Sequence, residues 1–62
     1  MMTMNDDLKK ALQSVKGSYP DFVLAIMILV KRNGHKDEVL NYLQNNPDVK
    51  TDKVIRYVES LI

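Results

Sequence analysis

Apolar residues recur along the chain with the period of an α-helix in four separate segments. The first stripe consists of Met4, Leu8, Ala11, Leu12 and Val15. This spacing predicts a helix over about 5–16, and Gly17 follows it at a position where a left-handed cap residue is favoured. Residues 1–4 are expected to be flexible.

The second segment is a run of nine apolar residues, Phe22–Val30. Four of the nine are β-branched, so a strand is an alternative. Pro20 before the run and Gly34 after it are typical of the start and the end of a helix. Because no second strand-like segment is present to pair with a strand, we predict a helix over about 20–33.

Two further amphipathic segments follow. Val39, Leu40 and Leu43 predict a third helix over about 36–45, which ends before Pro47 because the residue preceding a proline avoids helical geometry. The fourth stripe consists of Val54, Ile55, Val58, Leu61 and Ile62. It predicts a helix from about residue 52 to the end of the chain.

A weak internal repeat relates the two halves of the chain. A shift of 31 positions aligns Leu12 with Leu43 and Val23 with Val54. Two helical hairpins packed against each other would give such a repeat, and the alternative is that any two amphipathic hairpins match to this extent through their patterning alone. The predicted fold is therefore all-α, with four short helices arranged as two helical hairpins around the central apolar helix. Residues 1–62 are expected to form a single small domain.

Short polar residues mark the expected starts of two helices. Ser18 and Asp21 have the spacing of a capping box before the second helix. Thr51 is the expected N-cap of the fourth helix.

The second helix is apolar around its whole circumference, and three short neighbours are not expected to cover all of it. The face predicted to remain exposed contains Asp21, Ala25, Ile28 and Arg32. This face carries a charge at each end. If the other helices do cover the run, it is simply the core of a monomer. If only this face stays exposed, Ile28 is a single apolar residue on the surface, which is ordinary. If more of the run is uncovered, the larger apolar patch indicates an interface.

Self-association is the simplest use of such a surface, because two-fold homodimers are the commonest assemblies. Tyr42 and Tyr57 lie at matching positions of the third and fourth helices and are further interface candidates, since tyrosine combines apolar area with a polar tip. The residues predicted to form the interface are Ala25, Ile28, Arg32, Tyr42 and Tyr57. The leading hypothesis is a small interaction or regulatory module that forms a homodimer or binds another protein.

Composition narrows the compartment and the classes of partner. The chain has 62 residues, no cysteine and a net charge of +1. The absence of cysteine fits a reducing compartment, and the longest apolar run is far shorter than the ~20 residues of a membrane-spanning helix. We therefore expect a cytoplasmic protein without a membrane segment.

Chemistry-bearing residues are sparse. His35 is the only histidine, and with Asp37 and Glu38 close by in sequence it lacks the spacing that would place three metal ligands together. No nucleophile is spaced to work with it, and the two glycines do not form a phosphate-binding loop. The sequence therefore predicts no catalytic activity, no cofactor and no metal.

DNA binding is the alternative hypothesis. The link between the second and third helices is short and contains Gly34, as in a helix-turn-helix motif. The third helix would then contact bases, and nearby basic residues would contact phosphates. The candidate residues are Lys36, Asn41, Gln44, Lys53 and Arg56. The balanced charge of the chain gives this alternative little electrostatic support.

Overall fold

A computed structural model describes residues 6–62 of the chain. The four helices are α1 (Asp6–Gln13), α2 (Pro20–Asn33), α3 (Lys36–Asn45) and α4 (Thr51–Leu61). The all-α prediction is confirmed, and the strand alternative for the apolar run is wrong, because the run lies wholly within α2. Met4, the predicted helix start at residue 5 and the expected flexibility of residues 1–4 lie outside the described residues.

The bounds of α2 and α3 agree with the sequence prediction. Pro20 is the first residue of α2, where its missing N–H needs no partner. Gly34 ends the helix in the left-handed conformation, with φ 72° and ψ 26°. Its amide donates a 2.8 Å hydrogen bond to the carbonyl of Val30, so one of the free carbonyls at the helix end is satisfied.

Replacing Gly34 with alanine is expected to lower the free energy of unfolding by about 1 kcal/mol, because a β-carbon disfavours positive φ. No atom lies within 4 Å of the position that the β-carbon would take, so the effect is conformational. Gly34→Asn is the control and should cost less, because asparagine tolerates this conformation. Equal urea midpoints for the glycine and alanine chains would contradict the prediction.

The first helix is shorter than predicted and ends at Gln13, not near residue 16. The amide of Ser14 is shared between the carbonyls of Lys10 and Ala11, at 3.1 and 3.2 Å, and its hydroxyl donates to the Lys10 carbonyl at 3.0 Å. These hydrogen bonds tighten the last turn of α1, and the side-chain bond of Ser14 competes with the backbone hydrogen bonds that would continue the helix. Gly17 does have a positive φ of 82°, but it lies in a turn beyond the helix and is not the cap of α1.

Both N-cap predictions are wrong by one residue. The N-cap of α2 is Tyr19, so Ser18 and Asp21 form no capping box. The N-cap of α4 is Lys50, and Thr51 is already the first helical residue. Neither N-cap side chain makes a capping hydrogen bond.

The start of α4 is fixed by the backbone of the loop before it. Lys50 is extended, with φ −95° and ψ 165°, and forms an isolated parallel bridge with Lys16 in the loop between α1 and α2. The Lys50 carbonyl accepts from the amides of Lys53 and Val54, at 3.1 and 3.2 Å, and so opens the helix. The two long loops of the protein therefore meet at Lys16 and Lys50.

The central position of α2 explains its apolar character. It packs against α1, α3 and α4, and α1 also packs against α3. The arrangement as two hairpins is not confirmed, because α3 and α4 are not a main packing pair. The buried apolar core consists of Leu8, Leu12, Val15, Phe22, Val23, Ile26, Val30, Val39, Leu43, Val54 and Val58. Within residues 6–62 no polar or charged residue is buried.

Candidate interaction surface

One face of α2 is not covered by the other helices. Asp21, Ala25 and Arg32 are exposed, and Ile28 keeps 45% of its surface accessible. These four residues follow one another at intervals of four, three and four, so they form one stripe along the helix. The sequence prediction that this stripe is exposed is confirmed.

Leu24 extends the exposed apolar surface and was missed by the sequence analysis. It is 60% exposed and lies one turn before Ile28 on the same side of the helix. Across residues 6–62, the other exposed large apolar side chains are Tyr19 and Ile62, so Leu24 and Ile28 are the one such pair on consecutive turns of a helix. We call Asp21, Leu24, Ala25, Ile28 and Arg32 the α2 face.

A groove of about 480 Å³ lies beside the α2 face, between α1 and α2. Its lining residues are Lys9, Gln13, Ser18, Tyr19, Pro20, Val23, Leu24 and Met27. The ring of Tyr19 packs at a tilt against that of Phe22, with centroids 5.8 Å apart, which anchors an exposed aromatic side chain to the core. Leu24 belongs to both the groove and the α2 face, so the two apolar features are continuous.

The two charges of the α2 face have no ion-pair partner among the described residues. The contact found within residues 6–62 between the imidazole of His35 and the carboxylate of Glu38 involves neither Asp21 nor Arg32. The two are also about 16 Å apart along the helix axis, too far to pair with each other. Each charge is therefore available to a group outside the chain.

Tyr42 and Tyr57 are brought together, but away from the groove. Their rings stack at 4.0 Å with an angle of 6° between planes, and the Tyr57 hydroxyl lies 3.5 Å from the carbonyl of Glu38. Both side chains are half-buried. The stack joins α3 to α4, which gives these tyrosines a role within the chain; their role in an interface stays a prediction.

The residues of the DNA-binding hypothesis are divided between two helices. Asn41 and Gln44 are exposed on α3, where they share a shallow depression with Asp37 and Glu38. The three basic candidates are Lys36, which is half-buried at the start of α3, and Lys53 and Arg56, which are exposed on α4. The face of α3 that would approach DNA thus carries two carboxylates, which disfavour phosphate contact.

His35 pairs locally and does not gather a set of ligands. Its Nδ1 lies 2.9 Å from Oε1 of Glu38, three residues later. Within residues 6–62, no group of three or more His, Cys, Asp or Glu residues is arranged to hold a metal ion. The pair is therefore a local contact at the start of α3.

Comparison of the chain with protein-family models, curated proteins and solved structures gives no match. None of the helices described for residues 6–62 has the length and apolar character needed to cross a membrane.

Proposed function

We propose that this protein is a small, non-catalytic interaction module that forms a homodimer through the α2 face. The observation that carries the proposal is the exposure of Leu24 and Ile28 on consecutive turns of the most apolar helix. Full burial of an exposed large aliphatic side chain stabilises by about 1.5–3 kcal/mol. Leu24 and Ile28 are 60% and 45% exposed, so about half of that free energy is still available from each. A partner that covers them recovers part of this free energy.

A second copy of the chain is the partner that the α2 face fits best. The face carries a negative charge at one end, a positive charge at the other and apolar residues between them, so it is complementary to itself when one copy is reversed. The 14 residues of α2 span about 21 Å, which corresponds to an interface below ~1,200 Å². We therefore expect a weak, reversible dimer with a dissociation constant in the high micromolar range.

The remaining parts of the proposal concern chemistry and location. The absence of any cysteine supports a reducing, cytoplasmic environment. The exposed position of the pair formed by the single histidine and Glu38 supports a non-catalytic role, because general acid–base catalysis requires a substrate held within hydrogen-bond reach of the catalytic group.

Ile28→Glu is expected to produce a folded monomer, because a carboxylate at the centre of the α2 face would be desolvated on dimerisation. Sedimentation equilibrium between about 10 µM and 1 mM should show the unmodified chain approaching twice its monomer mass and the variant remaining at the monomer mass, a range chosen for weak interfaces. Circular dichroism should show the same helix content for both chains.

Ile62→Glu is the matched control, since Ile62 is 61% exposed and lies outside α2. This variant should dimerise like the unmodified chain. A strictly monomeric unmodified chain at 1 mM, or dissociation by both substitutions alike, would be the result that rejects the proposal.

DNA binding stays an alternative prediction that no feature of α3 favours over the proposal. Its two carboxylates lie beside the residues that would contact bases. Binding to random duplex DNA that weakens steeply with salt would support this alternative.

A further inference from the structure

We infer that two copies of α2 pair in antiparallel orientation, with Asp21 of each copy beside Arg32 of the other. The two-fold axis of this pair lies level with the midpoint of the stripe, between Ile26 and Met27. The inference rests on the proposed homodimer and adds its partner orientation and register. It follows from the order of side chains on the α2 face and from the absence of an ion pair for either charge within the described residues.

The spacing of the stripe is the same when it is followed in either direction. The intervals from Asp21 to Ala25, Ile28 and Arg32 are four, three and four residues. In an antiparallel pair of helices, a residue lies level with the one that is equally far from the midpoint on the other side. The register therefore sets Asp21 level with Arg32 of the second copy, and Ala25 level with Ile28 of the second copy.

The apolar part of the interface combines small and large side chains. Ala25 leaves space opposite Ile28 of the second copy, as interdigitating helices require. Leu24 lies to one side of the stripe, and the two-fold axis places Leu24 of the second copy on the same side, about 7.5 Å away along the helix axis. The most exposed apolar residue of α2 therefore lies at the edge of the pair, where the second copy shields part of it from water.

The charges select the orientation. In the antiparallel register each carboxylate meets a guanidinium, whereas parallel helices in register would place Asp21 beside Asp21 and Arg32 beside Arg32. Exposed ion pairs contribute little to affinity, but like charges in contact exclude the wrong arrangement. Because both copies contribute the same face to the interface, the assembly is closed at two copies and leaves no α2 face free to bind a third.

Charge reversal tests the register directly. Asp21→Arg and Arg32→Asp should each weaken self-association at least tenfold, because each variant opposes like charges at both ends of its own dimer. An equimolar mixture of the two should dimerise within about threefold of the unmodified chain, since each helix then meets its complement. Asp37→Arg and Arg56→Asp, at exposed positions of α3 and α4, are the matched controls and should leave self-association unchanged, alone or mixed.

Cysteine cross-linking measures the orientation without relying on affinity. The natural chain has no cysteine, so Asp21→Cys and Arg32→Cys variants carry a single thiol each. Their mixture, with one partner labelled with ¹⁵N, should oxidise to the mixed disulfide several-fold faster than either variant forms a disulfide with itself. The reason is that positions 21 and 21 of an antiparallel pair are about 16 Å apart along the axis, beyond disulfide reach.

The outcomes separate this inference from the proposed dimer. A dimer that Ile28→Glu dissociates, but that forms self-disulfides at position 21 or at position 32, would overturn the antiparallel register and keep the homodimer. Charge-reversed variants that fail to complement each other while the chain dimerises would likewise overturn the register. A monomeric unmodified chain, with only slow random disulfides, would reject both.

Discussion

A chain carrying Ile26→Glu is expected to be unfolded in the absence of denaturant. Ile26 is 1% exposed at the centre of the core, facing away from the α2 face. Removing a buried isoleucine side chain costs about 2–5 kcal/mol, and a carboxylate without a partner in an apolar site adds several more. A domain of this size has only about 3–9 kcal/mol of stability at ~0.05–0.15 kcal/mol per residue.

The matched variant is Ile28→Glu, which makes the same chemical change two residues further along the same helix. At low micromolar concentration, where a weak dimer is dissociated, it should change the free energy of unfolding by no more than about 0.5 kcal/mol. Circular dichroism and the spread of amide proton shifts distinguish the two chains. Folding of both variants, or unfolding of both, would show that the burial of α2 differs from the arrangement described here.

Leu12→Ala is expected to lower the free energy of unfolding by about 3 kcal/mol. Leu12 is fully buried, and large-to-small changes at such sites cost 2–5 kcal/mol because they leave a cavity. The effect should be strong here because α1 has eight residues and buries only two of them, Leu8 and Leu12. Loss of one of these contacts weakens the attachment of the whole helix to α2 and α3.

Gln13→Ala is the control for this experiment, because Gln13 is the next residue of α1 and is exposed. Urea denaturation should give a midpoint near that of the unmodified chain for Gln13→Ala and a clearly lower one for Leu12→Ala. Similar midpoints for both variants would mean that α1 contributes little to the stability of the protein.

The positions of α2 and α3 could be predicted from the sequence because local chemistry fixes their ends. Pro20 can start a helix but cannot continue one, and Gly34 takes a conformation that other residues avoid. The exposed stripe through Ala25 and Ile28 could also be predicted, because three short helices cannot surround a fourth that is apolar on all sides.

The end of α1 and the groove could not be predicted in the same way. Val15 continues the apolar stripe and is buried, but it lies in a turn beyond the helix. A buried apolar residue at helical spacing is therefore not part of a helix here. The groove depends on where the side chains of α1 come to lie beside Tyr19 and Met27, which is a property of tertiary packing. The exposure of Leu24 could have been predicted from the sequence, since it lies one turn before Ile28.

The matching positions of Tyr42 and Tyr57 had two physical explanations, and the sequence alone did not choose between them. Two exposed tyrosines on separate helices suit an interface with a partner. The same two residues on facing flanks can instead contact each other, as their stacked rings do. The distance between the two helices decides which applies, and no sequence pattern reports it.

The bridge between Lys16 and Lys50 bears on how the protein loses its structure. It ties a segment that follows the first helix to one that precedes the last, so neither half of the polypeptide has a complete set of neighbours by itself. We expect thermal unfolding to be a single cooperative transition, in which the two halves lose their structure together. Two peptides produced by cleavage between α2 and α3 should accordingly gain their helical order only when they are mixed.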